Sequence, residues 1–434
     1  MLHIGIDDTD STEGGCTTWL ATQIISELSE FDLISYPRLV RLNPNVPWKT
    51  RGNAAVALTF GKGIGPKEKV GESSNSEIFA FSKGRDIAYS SEDIVNRIKT
   101  VVSNHSHPDS QPGIVLSDVF LPEGLYWEGV RNIVSRETLE SAIEGAVVSG
   151  FRGSRGIFGA ACSLAWPGYS INGGISHTWE LIGYRAENMW GTKRQISSDS
   201  VKQVSEKRGV FSCCDDDGRI AMVPNTPCPV LWGFRGTDKK EVVDNYNILG
   251  PEKPARWLLY KTNQATDDHL SFKEISDLRE GDSVWLEAIV SSRAETIEGG
   301  HRFFSVSSPS GDIVKCAAFE PTKTLRRIVD ELEPSDSIIV CGSFKNNTIN
   351  IEKMKIEALA TRYKKPKNPI CECGKSTHSV GKNSYYRCKK CGKKYDRPEM
   401  IKFNSDITLG WYGPPPSSSR HLSTPVSLMN NNGF

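Results

Sequence analysis

The chain has 434 residues, enough for about three domains. Hydrophobic residues make up 38% and charged residues 24%, a composition that permits ordinary folded cores and excludes a generally disordered chain. The net charge of +1 hides an asymmetry: residues 360–402 hold 13 Lys/Arg against 3 Asp/Glu, whereas the first 359 residues hold 39 against 48. A basic module on an acidic body predicts a polyanionic partner near the C-terminus.

The predicted location is the cytoplasm. The sequence contains no run of 18 apolar residues, which predicts that no helix spans a membrane. The first ten residues, MLHIGIDDTD, become acidic within seven positions and do not have the profile of a signal peptide. Eleven cysteines is an odd number for a disulfide framework, and four of them cluster between 371 and 391. This pattern favours a reducing compartment and one metal site.

The first 148 residues alternate predicted strands and helices, which is typical of an α/β or α+β domain. The predicted elements are strands at 3–6, 53–60 and 114–121, helices at 16–30 and 130–148, and a loop at 61–69. A second unit of α/β type follows at about 150–262, with a strand at 177–185.

Residues 268–360 have a β pattern. Five predicted strands, with the helical segment TLRRIVDELE after the third, match the plan of an OB-fold, and a small β-sandwich fits the same pattern. Residues 398–434 contain Pro414, Pro415 and Pro416 followed by three serines, and they have little apolar periodicity. They are predicted to form an extended tail.

The four clustered cysteines have the spacing of a zinc ribbon. Cys371-x-Cys373 and Cys388-x-x-Cys391 each lie beside a glycine, and four thiolates on two short turns suit tetrahedral Zn²⁺. The first pair is one residue shorter than the usual spacing, so His378 is an alternative ligand.

Basic and aromatic residues surround this cluster. Basic groups attract phosphates and aromatic faces stack on bases, so the module is predicted to bind nucleic acid, with a solvated lysine-rich surface as the alternative. The residues predicted to contact nucleic acid are Lys364, Lys365, Arg387, Lys389, Lys390, Lys393, Lys394 and Tyr386.

An acidic loop at the N-terminus is the second candidate site. Asp7, Asp8 and Asp10 follow a strand and precede a helix that begins near Thr17 or Thr18. Carboxylate oxygens suit Mg²⁺, and the N-terminus of a helix can receive a phosphate. The arrangement predicts a site for phosphoryl transfer, and an ordinary acidic turn fits the pattern too.

Residues 42–53 add cationic and polar groups just before a strand. Such groups could bind triphosphate oxygens or belong to a surface turn. The residues predicted to contact ATP are Thr9, Asp10, Lys49, Arg51 and Asn53. There is no Walker A motif, protein-kinase loop or G-x-G-x-x-G, so any ATP site is of a less common kind.

Two further features leave their roles open. The polar segment TNQATDDHL at 262–270 either binds a polar ligand or caps the junction before the β unit. His177 precedes a predicted strand and is interpreted as a structural histidine.

Together, several motifs resemble the archaeal tRNA(Ile) 2-agmatinylcytidine synthetase (TiaS) family, in the same order over nearly the whole chain. They are GIDDTDSTEGGCTTWLA, RLNPNVPWKTRGNAAV, HTWELIGYR, WGTKR, PCPVLWGFRG, TNQATDDHL, the cysteine module and PPPSSSRHLSTPV. The resemblance implies a multidomain α+β protein. Its implied parts are a kinase-like α/β catalytic domain (1–148), a ferredoxin-like domain (149–262), an OB-fold barrel (268–360), a zinc ribbon (366–397) and the extended tail (398–434).

The resemblance also implies an activity. ATP is cleaved to AMP and pyrophosphate, and agmatine is joined to position 2 of the wobble cytidine in the CAU anticodon of an isoleucine tRNA, so that AUA rather than AUG is decoded. Asp7, Asp8 and Thr18 become the implied catalytic residues, with Mg²⁺ on Asp7 and Asp8 and Thr18 as a phosphorylatable threonine. Two other functions fit the residues alone: a non-catalytic protein that binds single-stranded nucleic acid, and a small-molecule kinase that releases ADP.

Overall fold

The structure is a computed structural model, and it describes residues 1–50, 52–73, 76–170, 174–381 and 384–429. The helices are α1 (Thr17–Glu27), α2 (Ser91–His105), α3 (Glu123–Arg131), α4 (Arg136–Ala142), α5 (Gly156–Ala165), α6 (Ser198–Ser205), α7 (Lys239–Asn245) and α8 (Thr324–Asp330). None of the helices in the described ranges has the length and apolarity that crossing a bilayer requires.

The strands of the first two units are β1 (Leu2–Asp7), β2 (Asp32–Ile34), β3 (Arg38–Arg41), β4 (Ala54–Ser73), β5 (Ser76–Arg85), β6 (Gly113–Ser117), β7 (Val147–Gly150), β8 (Thr178–Tyr184), β9 (Val230–Gly236) and β10 (Arg256–Thr262). The remaining strands are β11 (Ser271–Phe272), β12 (Ser283–Val290), β13 (Glu295–Thr296), β14 (Arg302–Ser307), β15 (Ile313–Ala318), β16 (Ser337–Lys345), β17 (Thr348–Ala358), β18 (Arg362–Lys364), β19 (Thr377–Ser379), β20 (Tyr386–Cys388), β21 (Lys394–Tyr395), β22 (Ile401–Phe403) and β23 (Gly410–Tyr412).

The first two units share one large sheet, in the order β7-β6-β1-β4-β3-β10-β8-β9, with β2 and β5 paired to β4. Strand β10 of the second unit runs parallel to β3 of the first, with Lys261 opposite Arg38. Helices α1 and α2 cover one face of the β1 region, where Leu2, Ile4 and Ile6 are buried. The continuous sheet fixes the two units rigidly beside each other, so that a site can form between them.

Helix α5 covers the opposite face of β1. It is rich in small residues, and its Ala160, Ala161 and Leu164 are buried against the first unit. A Cβ on Gly5 of β1 would lie 2.2 Å from the carbonyl oxygen of Ala160. The strand and the helix approach closely because both carry small residues, and this contact places the start of α5 beside the end of β1.

Two local predictions in the first unit were wrong. Residues 61–69, predicted as a loop, continue β4, whose second half, from Lys62 to Ser73, pairs with β5. Residues 130–148, predicted as one helix, contain the end of α3, then α4 and the edge strand β7. Ser135 caps the start of α4 and Gly145 takes a left-handed conformation after it, so the helix is interrupted. In the first case strand pairing across the sheet overrides local propensity.

Residues 268–360 form a closed five-stranded barrel. Strand β12 pairs with both β16 and β14, β15 pairs with β14 and in parallel with β17, and β17 pairs with β16. Helix α8 follows β15, the third barrel strand, as predicted. Barrel closure excludes the small β-sandwich, and buried residues such as Leu286, Val306 and Ile338 fill its interior.

The C-terminal part of the chain is extended, but it is not a loose tail. Strand β23 adds to the barrel beside β17, and Leu422 is buried in the core of the first unit. We call residues 410–429 the C-terminal strap. The strap is attached to the other units by backbone hydrogen bonds and a few buried side chains. Such contacts do not require an apolar periodicity, so the sequence pattern did not predict this packing.

Candidate active site and zinc centre

A cavity of about 640 Å³ lies where the first two units meet. Most of the residues predicted for catalysis and ATP binding line it: Asp7, Asp8, Asp10, Thr18, Lys49 and Asn53. Arg51 lies outside the described residues. The tertiary structure thus brings the acidic loop and the segment before β4 together around one space, although 40 residues of sequence separate Asp10 from Thr50.

The acidic loop begins at the end of β1. The backbone N–H of Asp8, which has a φ of 53°, donates to Asp7 Oδ1 at 2.7 Å, and Arg155 Nε donates to Asp8 Oδ2 at 3.3 Å. Burial and the neighbouring Asp8 carboxylate raise the pKa of Asp7 to about 8. A Cβ on Gly159 of α5 would lie only 1.8 Å from Asp7 Oδ2, so this carboxyl needs glycine at that position.

The N-terminus of α1 faces the same cavity. Cys16 is the N-cap, and its Sγ accepts from the backbone N–H of Trp19 at 3.5 Å. Thr17 is buried and accepts a hydrogen bond from the Thr9 hydroxyl, whereas Thr18 is half-buried with its Oγ1 3.1 Å from Cys16 Sγ. Thr9 is fully buried and its hydroxyl donates to Thr17, so it is not among the residues that line the cavity, and its contact with ATP stays a prediction.

The segment before β4 forms a second wall of the cavity. The Thr50 hydroxyl donates to Asp10 Oδ1 at 2.9 Å, which ties this wall to the acidic loop. Asn53 donates through Nδ2 to the carbonyl oxygen of Asn43, and Lys49 is exposed at the cavity edge. Trp48 is 45% exposed, and the Arg155 guanidinium lies 5.8 Å from the centroid of its ring.

A buried ionic cluster forms a further part of the cavity wall. Glu180 of β8 accepts from Arg235 Nε at 2.9 Å and lies 3.4 Å from Arg41 Nη2. Burial alone raises the pKa of Glu180, but the two guanidinium groups outweigh it and hold the pKa below its usual value. His421 of the C-terminal strap also lines the cavity.

The sequence analysis missed several cavity residues, namely Arg41, Thr50, Arg155, Gly159, Glu180, Arg235 and His421. Thr50 comes from the segment before β4, and the others come from strands β3, β8 and β9, from the start of α5 and from the strap. Local sequence does not indicate that these elements converge. One signal was present: Glu180 occupies a buried position in the otherwise apolar strand HTWELIGYR.

The segment 262–270 is a buried junction, which is the second of its two predicted roles. Asp268 accepts hydrogen bonds from the hydroxyls of Tyr126 and Ser170, and Asp267 pairs with Lys353 of the barrel. Its polar groups are therefore used inside the protein. His177 is half-buried, with its Nδ1 2.9 Å from the hydroxyl of Ser176, and its structural role stays a prediction.

The four clustered cysteines converge as predicted. The Sγ atoms of Cys371, Cys373, Cys388 and Cys391 all lie within 4.8 Å of one another. Cys371 Sγ is 3.3 Å from Cys391 Sγ and accepts from the Tyr395 hydroxyl at 3.2 Å. Four thiolates in this arrangement fit Zn²⁺, and His378 is not part of the group. The shortened first pair thus still supplies two ligands.

Most of the predicted nucleic-acid-binding residues are exposed on this ribbon. They are Lys364, Lys365, Arg387, Lys389, Lys390, Lys393 and Lys394. Lys393 pairs with Glu372, and Lys394 Nζ lies 4.6 Å from the centroid of the Tyr385 ring. Tyr386 needs correction: it is 2% exposed, because alternation along β20 turns its side chain to the same side as Cys388, and its ring is not available for stacking on a base.

Family models match three parts of the chain: the TiaS TCKD domain at residues 3–153, the TiaS FLD domain at 154–269 and the TiaS C-terminal zinc ribbon domain at 368–407. The chain is 37% identical to the tRNA(Ile) 2-agmatinylcytidine synthetase TiaS of Methanosarcina mazei, over 98% of this chain and 97% of that protein. The identity to the same enzyme of Methanocaldococcus jannaschii is 35% over 99% of both chains.

This chain belongs to the TiaS family. Solved structures agree over the full length. A crystal structure of TiaS in complex with its isoleucine tRNA and ATP matches with a TM-score of 0.83 at 31% identity, covering 100% of this chain and 98% of that one. A complex of TiaS with the same tRNA, AMPCPP and agmatine matches with a TM-score of 0.80 at 28% identity and the same coverage. The cavity and the cysteine cluster are therefore features of a TiaS chain, and the multidomain architecture, with its closed barrel and zinc ribbon, is confirmed.

Proposed function

We propose that this TiaS-family chain is an ATP-dependent ligase that joins agmatine to position 2 of the wobble cytidine in the CAU anticodon of an isoleucine tRNA. The observation that carries the proposal is the cavity between the first two units, where carboxylates, a helix N-terminus and cationic side chains converge in a member of this family. The two related complexes, one with an isoleucine tRNA and ATP and the other with that tRNA, AMPCPP and agmatine, support the same substrates.

The chemistry requires activation of the base. The carbonyl oxygen at position 2 of cytosine is urea-like and leaves poorly. Transfer of the α-phosphoryl group of ATP, with its adenosine, to this oxygen releases pyrophosphate and makes the oxygen part of a leaving group. The primary amine of agmatine then attacks carbon 2, loses a proton and displaces AMP, so that ATP is consumed to AMP and pyrophosphate. The new nitrogen substituent changes the pairing edge of the base, and the decoded codon changes from AUG to AUA. The wobble base lies in a loop, so it can leave its stack at a cost of about a few kcal/mol.

The acidic loop and the start of α1 are assigned to phosphate handling. Asp7 and Asp8 are the proposed Mg²⁺ ligands, because hard carboxylate oxygens lie close together there. Burial first, and then the neighbouring Asp8 carboxylate, disfavour the ionised form of Asp7, which a bound cation would favour. When bound, Mg²⁺ supplies neutralisation of phosphate charge. Thr18 is the proposed phosphorylatable residue, since it is the less buried of the two threonines at the helix start.

The second wall of the cavity is assigned to ATP. Lys49 and Arg51 are the proposed phosphate contacts, and Asp10 and Asn53 are proposed to contact the nucleotide. Asp10 is also hydrogen-bonded to Thr50, which makes its position dependent on this wall.

The domain assignments follow the same reasoning. We propose a kinase-like catalytic domain at 1–148, a ferredoxin-like domain at 149–262, an OB-fold at 268–360 and a zinc ribbon at 366–397 that contacts tRNA. A cytoplasmic location is the proposal that fits an enzyme acting on tRNA.

Nucleotide product analysis tests the proposal. ATP is incubated with the protein, with and without the isoleucine tRNA and with and without agmatine, and the nucleotides and digested tRNA are analysed by chromatography and mass spectrometry. We expect AMP, pyrophosphate and an agmatine-modified cytidine only in the complete mixture. Formation of ADP without tRNA would instead support a small-molecule kinase. RNA binding without any ATP turnover would support a non-catalytic binding protein.

A further inference from the structure

The C-terminal strap contacts all three large units of the protein. Strand β23 pairs with β17 of the barrel, and Ser417 donates two hydrogen bonds, from its backbone N–H at 2.8 Å and its hydroxyl at 2.6 Å, to Asp215 of the second unit. Leu422 is 2% exposed in the core of the first unit. The strap, which contains the sequence PPPSSSRHLSTPV, therefore lies where the three units meet. The proposed phosphate chemistry gives this sequence no role.

The strap is firmly attached on both sides of His421. The N–H groups of Ala265 and Asp267 each donate at 2.9 Å, to the carbonyl oxygens of His421 and Leu422 respectively. Thr424 donates from its backbone N–H to Asp267 Oδ1 at 2.8 Å. Because the buried junction segment holds the backbone at these points, the direction of the His421 side chain is fixed by the fold.

His421 packs on the wall of the catalytic cavity. A Cβ on Gly52 would lie 2.8 Å from His421 Cδ2 and 2.5 Å from Arg41 Nη1, so the imidazole and the guanidinium both lie directly against the Gly52 backbone. Arg41, burial, Arg235 and Lys49 lower the pKa of His421 well below its usual value. The imidazole is therefore neutral and adds no further charge to a wall that is already cationic.

The segment 43–53, by which we mean its described residues 43–50, 52 and 53, is held at both of its ends. Near its beginning, Asn45 donates to the carbonyl oxygen of Gly281 at 2.8 Å in the barrel, and Arg420 of the strap donates to Asn45 Oδ1 at 3.0 Å. Near its end, Gly52 lies under His421. Between these points Thr50 reaches Asp10 across the cavity. The two strap residues therefore clamp the segment that carries the Thr50–Asp10 hydrogen bond.

We propose that His421 is a positioning residue for the reaction, which holds residues 43–53 against the cavity so that Thr50 keeps Asp10 in place. The inference rests on the proposed function, because it assigns a role in that same site. It makes the strap an integral part of the active site, although most of the chain separates His421 from Asn53 in sequence.

The experiment compares four single variants of the full-length protein, and the double variant His421→Ala with Thr50→Val, with the wild type. His421→Ala removes the imidazole, His421→Phe keeps a planar ring, and Thr50→Val removes the hydrogen bond to Asp10. Ser418→Ala is the matched control, because Ser418 lies in the same strap but donates to Pro321 of the barrel and not to the cavity wall. Formation of AMP is measured as kcat and KM for ATP, together with thermal midpoints, tRNA affinity and hydrogen exchange of residues 43–53.

The expected result is a fall in kcat of about tenfold or more for His421→Ala, with faster hydrogen exchange in 43–53 and with tRNA affinity and thermal midpoint near those of the wild type. His421→Phe restores most of the activity, and Ser418→Ala leaves it unchanged. Because His421 acts through Thr50, the double variant with Thr50→Val is no worse than the more impaired single variant.

Three results would overturn the inference while leaving the proposed function intact. The first is a His421→Ala variant with unchanged kcat and unchanged hydrogen exchange, and the second is independent effects of His421→Ala and Thr50→Val on kcat. The third is a loss of activity in His421→Ala that a lower thermal midpoint fully explains. The pH dependence of kcat is measured for the wild type and His421→Phe as well. Failure of His421→Phe to restore activity, together with a changed pH dependence, would also overturn the inference, because the imidazole would then take part in the chemistry. If the wild type itself forms no AMP, the proposed function fails, and hydrogen exchange still tests whether His421 holds the segment.

Discussion

Asp7 shows how a single residue is made functional by its surroundings. Its carboxyl is enclosed by α5 at Gly159 and lies beside Asp8, and its pKa rises to about 8. An isolated aspartate at a solvated turn would ionise at about pH 4. This carboxyl would therefore lose a proton when a cation binds to it. Its raised pKa depends on α5, which encloses it, as much as on the acidic loop.

The pKa of Asp7 predicts a pH dependence of stability in metal-free protein. The folded pKa lies above the unfolded value, so Asp7 favours the folded state most at low pH, and that contribution is lost as the pH rises from about 4 towards 8. Asp7→Asn removes this dependence. We expect the stability of the variant relative to the wild type to increase with pH, by at most about 1.4 kcal/mol per pH unit, and to level off above about pH 8. Unfolding measured from about pH 5 to about pH 9 in a chelator tests it, and a constant difference contradicts it.

With Mg²⁺ and ATP, the same variant should lose AMP formation and keep tRNA affinity.

The two threonines at the start of α1 give a second prediction at this scale. Thr18 is half-buried and Thr17 is buried against Thr9, so a phosphate attached to the protein should be on Thr18. Thr18→Ala should abolish a phosphorylated species after incubation with ATP, and Thr17→Ser, which keeps a hydroxyl, should retain it. Intact-mass and peptide mass spectrometry provide the measurement. A phosphate that persists in Thr18→Ala would identify another hydroxyl as the acceptor.

At the scale of elements, the zinc ribbon is a unit with very little core of its own. Its strands have two or three residues, and its buried side chains include Cys371, Cys388 and Tyr386. So small a module needs a metal to be stable. The ring of Tyr386 therefore packs inside the ribbon and stabilises it, and the charged residues of the ribbon lie at the surface.

Metal removal should affect this element alone. We expect one zinc per chain, and we expect Cys388→Ser to unfold the ribbon and weaken tRNA binding, while ATP binding in the distant cavity persists. Metal analysis, limited proteolysis and nucleotide binding check the three parts. Cys316→Ser is a matched control, because Cys316 is buried in the barrel away from the cluster. Freshly purified protein without zinc would refute the expectation.

At the scale of the whole molecule, charge is divided between an acidic body and a basic ribbon. Lys389, Lys390 and Lys394 are exposed, and Lys393 differs from them in its ion pair with Glu372. Contacts to phosphates position a nucleic acid, whereas contacts to bases specify it. The ribbon should therefore contribute affinity rather than recognition of the wobble cytidine.

Salt dependence of tRNA binding measures this contribution. Replacing Lys389, Lys390 and Lys394 by alanine should make the log–log slope of affinity against salt shallower by up to about 2, at about 0.7 per phosphate contact for single strands. Lys393→Ala should change the slope less, because its ammonium is already paired. Cognate and non-cognate tRNA should weaken alike. An unchanged slope would mean that these lysines only solubilise the ribbon, and a selective loss of the cognate tRNA would mean that the ribbon reads bases.

The sequence alone determined those features whose physical cause is local. The spacing of four cysteines predicted their convergence, and five strands with a helix after the third predicted the barrel. A strand followed by carboxylates and a helix start predicted the acidic loop beside α1. Tertiary structure decided everything that depends on distant segments meeting. The shared sheet joins the first two units, Gly159 and Glu180 complete the cavity, and the strap inserts His421 into it. These contacts rest on backbone hydrogen bonds and close packing between elements, and neither leaves a periodic pattern in the sequence.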